Sequence, residues 1–481
     1  VSNISGEGLD ALKLELEDLA RESTPRATLK LARLPIDRVF TIHGFGTVVT
    51  GTLYSGLLRR DQTVEIVPGP ILTKIRGLQS YGSKVDFASE GQRTALNLQG
   101  VDKGLLSRGM TLTLPGAMRP TQCLDASLFL VQQAETPLKK RDVVRLHLGT
   151  QETLARVLLL QTDLLRQGQS ALAQLRTQRP VCAWMGDRFI VRRVSPASTI
   201  GGGEILNPAA RKRKKKTQEG GLAQVLLNLK DTDRVGAWVG AHRYASEQTL
   251  VSLSGYPADH LLQHLSAQPG LVLLGASPRF YCSQDFLQGL SRRLLQMVEN
   301  FHKANPLAPG MRKEEVRTKL PSALPAEIFQ HLLDTLREQE KLEINAEFVS
   351  ISGKTALLSP EDQRHFDRLE QVLRESGSQP PAIKELLQKV GIDDKRGRNL
   401  LFLLQQRNLI VKIGEDFLVH RAHLDQVRQR LKENFPPGSQ FNVGQFKDLL
   451  GITRKHAIPL LEYLDRQRVT RRVGDSREVL K

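Results

Sequence analysis

Cysteine is nearly absent from this chain: Cys123, Cys182 and Cys282 stand far apart in 481 residues, with no C-x-x-C pair. That spacing excludes a disulfide framework and a standard zinc site, and it fits a reducing cytoplasm. Long apolar runs are missing too. No stretch approaches the roughly 18 residues of a membrane-spanning helix, and no basic-then-apolar signal segment opens the sequence. Acidic residues are in deficit, with 51 Asp+Glu against 69 Lys+Arg and a net charge of +18. Such an excess favours a polyanionic partner, nucleic acid or an anionic membrane surface. Charge alone leaves open a basic protein with solvated faces.

A phosphate-binding loop is also lacking. G-x-x-x-x-G-K-[ST] cradles phosphates with backbone N–H groups. The Gly353-Lys354-Thr355 triplet would need a glycine at 348, where Phe348 stands in a strand-like run. Asp394-Lys395-Arg396-Gly397 mimics a switch motif without its partners. Gly44, Gly46 and Gly51 separate β-branched residues rather than opening a helix, so they form no dinucleotide fingerprint. Gly201-Gly202-Gly203 reads as a turn at a strand end.

What is present is length enough for several domains. From about residue 28 to 208, short β-branched runs such as Thr47-Val48-Val49-Thr50 alternate with Gly- or Pro-bearing turns, the pattern of barrels or sandwiches. Gly116-Ala117-Met118-Arg119-Pro120 suits a joint between two of them. The basic run at 211–216 then marks a switch of period from about 2 to about 3.6. It suits RNA phosphates, or equally a solvated hinge.

The C-terminal half repeats. Gly391-Ile392 and Gly451-Ile452 lie 60 residues apart, and at that offset Leu400-Leu401 answers Leu460-Leu461 and Leu404 answers Leu464. Leu409 likewise answers Val469, Ile413 answers Val473, and Gly414-Glu415 answers Gly474-Asp475. Each unit reads as a short helix, a turn, a longer helix and a two-stranded wing. Two looser copies precede them, giving four winged-helix modules. The last, 425–481, carries 12 Lys+Arg against 7 Asp+Glu. Thr453 suits an N-cap for its second helix, with Ile458, Leu461 and Leu464 on the buried face. Lys447, Arg454, Lys455 and Arg466, with the wing residues Arg471, Arg472 and Arg477, are its candidate RNA-binding cations. A helix plus wing suits an RNA hairpin, phosphates giving affinity and a looped-out base specificity. The competing class is a winged-helix DNA regulator.

Ile36-Asp37-Arg38-Val39-Phe40, followed by Gly44-Phe45-Gly46-Thr47-Val48-Val49-Thr50-Gly51, resembles the second-domain opening of translational GTPases of the elongation factor Tu type. The Asp37-Arg38 pair, with Gly91-Gln92-Arg93-Thr94-Ala95-Leu96-Asn97-Leu98, is similar to the bacterial selenocysteine-specific elongation factors. Asp187-Arg188-Phe189-Ile190 and Leu206-Asn207-Pro208 continue the likeness, as does Leu461-Glu462-Tyr463-Leu464-Asp465-Arg466. Val1 to Leu9 resembles the final guanine-contacting loop and last helix of the GTPase domain, with Ser2 and Asn3 at the loop and Asn3 in place of the usual Ala.

The resemblance implies a multidomain chain of two all-β barrels, translation-factor domains II and III, followed by four tandem winged helices (α+β). It divides the chain into a GTPase-domain remnant (1–24), barrels at 25–117 and 118–210, a basic linker (211–220), and modules at 221–288, 289–358, 359–424 and 425–481. Most of the GTPase domain is expected to lie upstream. The chain alone is then not expected to hydrolyse GTP; it holds no cofactor, and GTP and Mg belong to the intact factor. The expected partners are selenocysteinyl-tRNA, an mRNA selenocysteine insertion hairpin and the ribosome, for a monomeric cytoplasmic protein that acts at UGA codons. A translational GTPase relative without selenocysteine specificity remains an alternative. In the implied pocket Arg38 and Arg93 pair with a selenolate, Asp37 orients them and His43 contributes. A neutral seryl hydroxyl leaves the same cations desolvated. A surface Asp37–Arg38 pair worth little is the competing reading of those residues.

Overall fold

The computed structural model describes residues 1–22, 29–44, 46–213, 221–229, 231–321, 324–345, 347–353, 358–414 and 417–480. It divides into two compact units, residues 1–287 and 288–481. Among the described residues no helix is long and apolar enough to cross a membrane.

The first unit opens with helix Leu9–Glu22, none of whose residues is buried. The first barrel follows. Its sheet runs Arg33–Pro35, Thr111–Thr113, Thr63–Val67, Ile71–Ser80, Arg93–Leu98, Gly46–Thr52 and Arg38–Ile42, with Ser83–Val85 paired to Ile71–Ser80. Alternation drives it: Thr94, Leu96 and Leu98 turn inward along one strand while Arg93, Ala95 and Asn97 turn outward. The inward residues join Leu34, Ile36, Val49, Val64 and Ile66 in one core. Gly51 sits where a Cβ would strike the Pro35 carbonyl oxygen, so the two strands cross closely only over glycine.

The second barrel is closed by Pro120–Leu130, Ser170–Cys182, Gln151–Leu159, Val143–Leu148, Arg188–Arg192 and Thr199–Asn207. Here one expectation is corrected. Gly201, Gly202 and Gly203 do not end a strand; they lie inside Thr199–Asn207, paired on both edges. Closure brings the neighbouring backbone so near that a Cβ on Gly203 would collide with the Ser127 carbonyl oxygen.

The joint at 116–120 bends through Gly116 at φ +71° and buries Ala117 and Met118 against Trp184. Between the barrels Arg33 is buried and binds both carboxylate oxygens of Asp187 at 2.7 and 2.6 Å. Its guanidinium lies 5.5 Å from the Tyr54 ring and 5.2 Å from the Trp184 ring. Asp187 also accepts the Trp184 backbone N–H at 2.7 Å. The basic run continues this order: the Arg213 side chain pairs with Asp125 at 3.1 Å, while residues 214–216 lie outside the described set.

The first winged helix packs onto the second barrel. Leu172, Met185 and Leu206 share a core with Leu226, Val239 and Leu250, and the Met185 N–H donates to the Leu253 carbonyl at 2.8 Å. In the second unit three more modules follow in series. Their second helices are Ala326–Glu338, Asp394–Gln406 and Arg454–Arg466, with wings Leu342–Ile344/Phe348–Ile351, Ile410–Lys412/Leu418–His420 and Thr470–Val473/Ser476–Val479. The expected boundaries at 288/289 and 424/425 fall inside helices Gln284–Ala304 and Arg421–Asn434. The apolar period carries straight through those points, so no break in pattern marks them.

The 60-residue repeat is structural. Gly391 and Gly451 both end their helices in the left-handed conformation, at φ 76° and 64°. Leu400, Leu401, Leu404, Leu460, Leu461 and Leu464 are all buried. Ile413 and Val473 differ, one fully buried and the other 39% exposed. Glu415 lies outside the described residues.

Candidate RNA-binding sites

On the first barrel the strand register sets the site. Arg38 lies opposite Thr50, and Thr50 opposite Ala95, while Thr52 faces Arg93. Residues directly opposite share a face, so Arg38, Thr50, Ala95 and Arg93 stand on the outward side. Asp37 is drawn to that side. Its N–H donates to the Thr50 carbonyl at 2.8 Å, and its carboxylate accepts the Thr50 hydroxyl at 2.7 Å. It also accepts both ends of the Arg93 fork, at 2.6 and 3.3 Å. Partial burial pushes the Asp37 carboxyl up, but the hydrogen bonds from Arg93 and Thr50 outweigh it and hold the group below the usual carboxylate value. The Arg93 side chain remains 52% exposed, so the pair itself is worth only about 0–1 kcal/mol.

The same outward face carries a cavity of about 590 Å³ lined by Ile42, Gly44, Val48, Gln79, Ala95 and Asn97 among others. Arg60, Arg76 and Lys84 also line it. Ala95 is two residues from Arg93, roughly 7 Å along the strand. The cavity therefore runs away from the Asp37–Arg93 pair along one face. His43 is not beside that pair. It lies in the turn after Ile42, and Arg38 to Ile42 alone spans roughly 13 Å. The hairpin sends His43 to the far end, next to Gly44; Phe45 lies outside the described residues.

In the fourth module Asn442 caps helix Val443–Leu450 through a full capping box with Gln445. Lys447, on that helix, is half-buried. The second helix, Arg454–Arg466, begins after Thr453, but the Thr453 hydroxyl bonds His456 Nδ1 at 2.9 Å and caps no backbone group. Its buried stripe is Ala457, Leu460, Leu461 and Leu464, whereas Ile458 is 37% exposed. Arg454 and Lys455 are exposed at its first turn.

Arg477 is corrected outright. It is buried and held by Asp465 at 3.0 Å, and Asp465 also accepts the Thr470 hydroxyl. That carboxylate ties the wing base to the C-terminal end of the helix. Arg466 lies at the same end, with Arg471 paired to Glu478 at 2.8 Å and Arg472 exposed. At 1.5 Å per residue, Arg454 and Asp465 are roughly 16 Å apart. The helix cations thus stand at its two ends, Arg454 and Lys455 at one and Arg466 at the other, with Arg471 and Arg472 on the wing strand that follows.

Elsewhere, Ser2 and Asn3 lie in a tight turn in which the Gly6 N–H donates to the Ser2 carbonyl at 3.0 Å. Gly353 follows the wing strand Phe348–Ile351, and Lys354 and Thr355 lie outside the described residues. Among the described residues no cluster of three metal-ligating side chains occurs.

A selenocysteine-specific elongation factor of Desulfomicrobium baculatum is 31% identical over 491 aligned residues, covering 100% of this chain and 77% of the relative. The chain belongs to the selenocysteine-specific elongation factor family. That factor from Escherichia coli K12 is 27% identical over 98% of this chain and 74% of its own length. Family models agree in order along the chain: Elongation factor Tu domain 2 at 46–113, the selenocysteine-specific elongation factor beta-barrel domain at 125–212, and SelB winged helices at 295–351 and 437–479. A crystal structure of bacterial selenocysteine-specific elongation factor EF-Sec shares the fold at a TM-score of 0.69 and 23% identity, over 99% of this chain and 74% of that one. Elongation factor Tu 2 of Streptomyces avermitilis matches 36% of this chain at 28% identity.

Sequence reasoning missed Thr50 as the hydroxyl that fixes Asp37. Its place in a β-branched run, with a carboxylate thirteen residues earlier on the paired strand, was the available signal.

Proposed function

We propose that this member of the selenocysteine-specific elongation factor family carries selenocysteinyl-tRNA on its first barrel and reads an mRNA selenocysteine insertion hairpin with its fourth winged helix. Its place of work is then the cytoplasmic ribosome at UGA codons. The observation that supports the reading best is the outward face that carries Asp37, Arg38 and Arg93 and, further along it from Ala95, a cavity. The triad sums to one positive charge, which matches one selenolate. A selenol is more acidic than a thiol and is largely ionised at neutral pH, whereas serine stays neutral. Once the site is covered, a selenolate compensates the surplus charge and a hydroxyl leaves it desolvated. The cavity beyond Ala95, lined by apolar residues and by Arg60, Arg76 and Lys84 with Asp86, suits the nucleotide end to which the amino acid is esterified.

At the other end of the chain, Arg454 and Lys455 at the first turn of the helix, Arg466 at its last and Arg471 and Arg472 on the wing offer cations spread out as phosphates along a hairpin are. GTP and Mg belong to this reading only in the intact factor.

The test is Arg93→Ala, assayed against selenocysteinyl-tRNA and seryl-tRNA. Loss of a desolvated charge partner is expected to weaken the first by about 2 kcal/mol, roughly thirtyfold, with little change in the second. Equal losses for both tRNAs would sink the pocket.

A further inference from the structure

We propose that Phe417, on the wing of the third winged helix, is a positioning residue for the RNA-reading helix of the fourth, holding Lys455 and His456 at its first turn. The proposal rests on the reading of the fourth module as an RNA binder. The Phe417 ring is 8% exposed. The Lys455 ammonium lies 5.4 Å from its centroid, and the His456 ring centroid stands 5.0 Å away at a 59° tilt. His456 is held in turn by the Thr453 hydroxyl at 2.9 Å. One buried ring from the preceding module thus touches both side chains that follow Arg454.

Other residues of that wing pack with it into the fourth module, while Ile410 and Leu418 stay in the third module's own core. Ile413, Phe417 and Val419 share a core with Phe441, Phe446 and Leu460. Gly414 packs beside Pro459, where a Cβ would meet the proline ring at 3.4 Å. The Gln379 amide donates to the Gly451 carbonyl at 2.7 Å, fixing the turn between the two helices. This explains why Ile413 is fully buried where its repeat equivalent Val473 is exposed: the third wing is a buttress, the fourth a free blade.

A free lysine has many rotamers, and ordering it on binding costs entropy. Phe417 settles that beforehand through cation–π attraction while the exposed side of Lys455 still faces solvent. Phe417→Met keeps the core filled without the ring, and Phe417→Tyr keeps the ring.

The experiment uses the full chain and a selenocysteine insertion hairpin, with Kd measured across a salt series. Phe417→Met is expected to raise Kd roughly fivefold, Phe417→Tyr to leave it unchanged, and Lys455→Ala to lower the salt slope by about one. In a Lys455→Ala/His456→Ala background, Phe417→Met should add nothing. An unchanged Kd for Phe417→Met, or the same loss with and without those two side chains, overturns the positioning role. Wild-type chain that binds the hairpin no better than duplex DNA overturns the RNA reading itself, a result distinct from either.

Discussion

Replacing Asp187 by alanine leaves the Arg33 guanidinium between the two barrels with no counter-charge. Arg33 and Asp187 side chains are 5% and 7% exposed, so water cannot take over from the missing carboxylate. Truncating one partner of such a pair costs about 3–5 kcal/mol, because the surviving charge stays desolvated. The Trp184 backbone N–H loses its acceptor as well. Tyr54 and Trp184 still flank the guanidinium, which favours the lower end of that range. At roughly 2–4 °C per kcal/mol for 150–250 residues, the unfolding transition of the barrel pair should fall by about 6–12 °C. Scanning calorimetry of the full chain measures it. Asp37→Ala is the control, since its pair is half exposed and is worth under about 1 kcal/mol. An Arg33→Met/Asp187→Leu double variant should recover most of the loss, because apolar replacement removes both desolvation costs. If Asp187→Ala shifts the transition no more than Asp37→Ala does, the seam does not depend on this pair.

Two further outcomes follow from the barrels. Gly203→Ala should disrupt the closed barrel, since its Cβ would strike the Ser127 carbonyl oxygen; circular dichroism and the yield of folded chain report it, and wild-type stability would refute the close approach. The depressed Asp37 carboxyl contributes stability that is present above its unfolded value, near 3.8, and is lost as pH falls through its lower folded value. A carboxyl titration of Asp37 should therefore move upward in Arg93→Ala, and no movement would show that the Arg93 hydrogen bonds do not set it.

The fold class was legible because it rests on period. β-branched runs with an outward residue every second position, as at Arg93, Ala95 and Asn97, announce barrel strands whatever they pair with. The 60-residue repeat announces the last two modules because Gly391 and Gly451 must both take a left-handed backbone. What period cannot supply is the identity of a distant neighbour. Arg33 and Asp187 are 154 positions apart, and nothing local distinguishes them from surface charges. Arg477 looked like one more wing cation because its partner, Asp465, sits on another element. Ile458 reads as buried because an apolar residue beside a stripe reads as part of it, yet its side chain is exposed. The Asp37–Arg93 pair came from family likeness rather than spacing, since 56 residues separate the two.

Under the proposed function, the exposure of Arg93 bears on how selenocysteine and serine would be told apart. At 52% exposure the guanidinium is solvated, and a selenolate meeting it there gains on the order of 1 kcal/mol at most. A hydroxyl meeting it loses nothing, because water still serves the cation. The charge difference between the two amino acids therefore becomes discriminating only when the outward face is covered. The cavity beginning at Ala95 supplies a place for the covering group, since whatever fills it lies over the same face as the triad. Under the proposed function, binding of the nucleotide end and rejection of serine would be one event, the tRNA terminus excluding the water that otherwise serves the cation. On this account the Arg93→Ala comparison has meaning only with the amino acids attached to tRNA, where the coverage is complete.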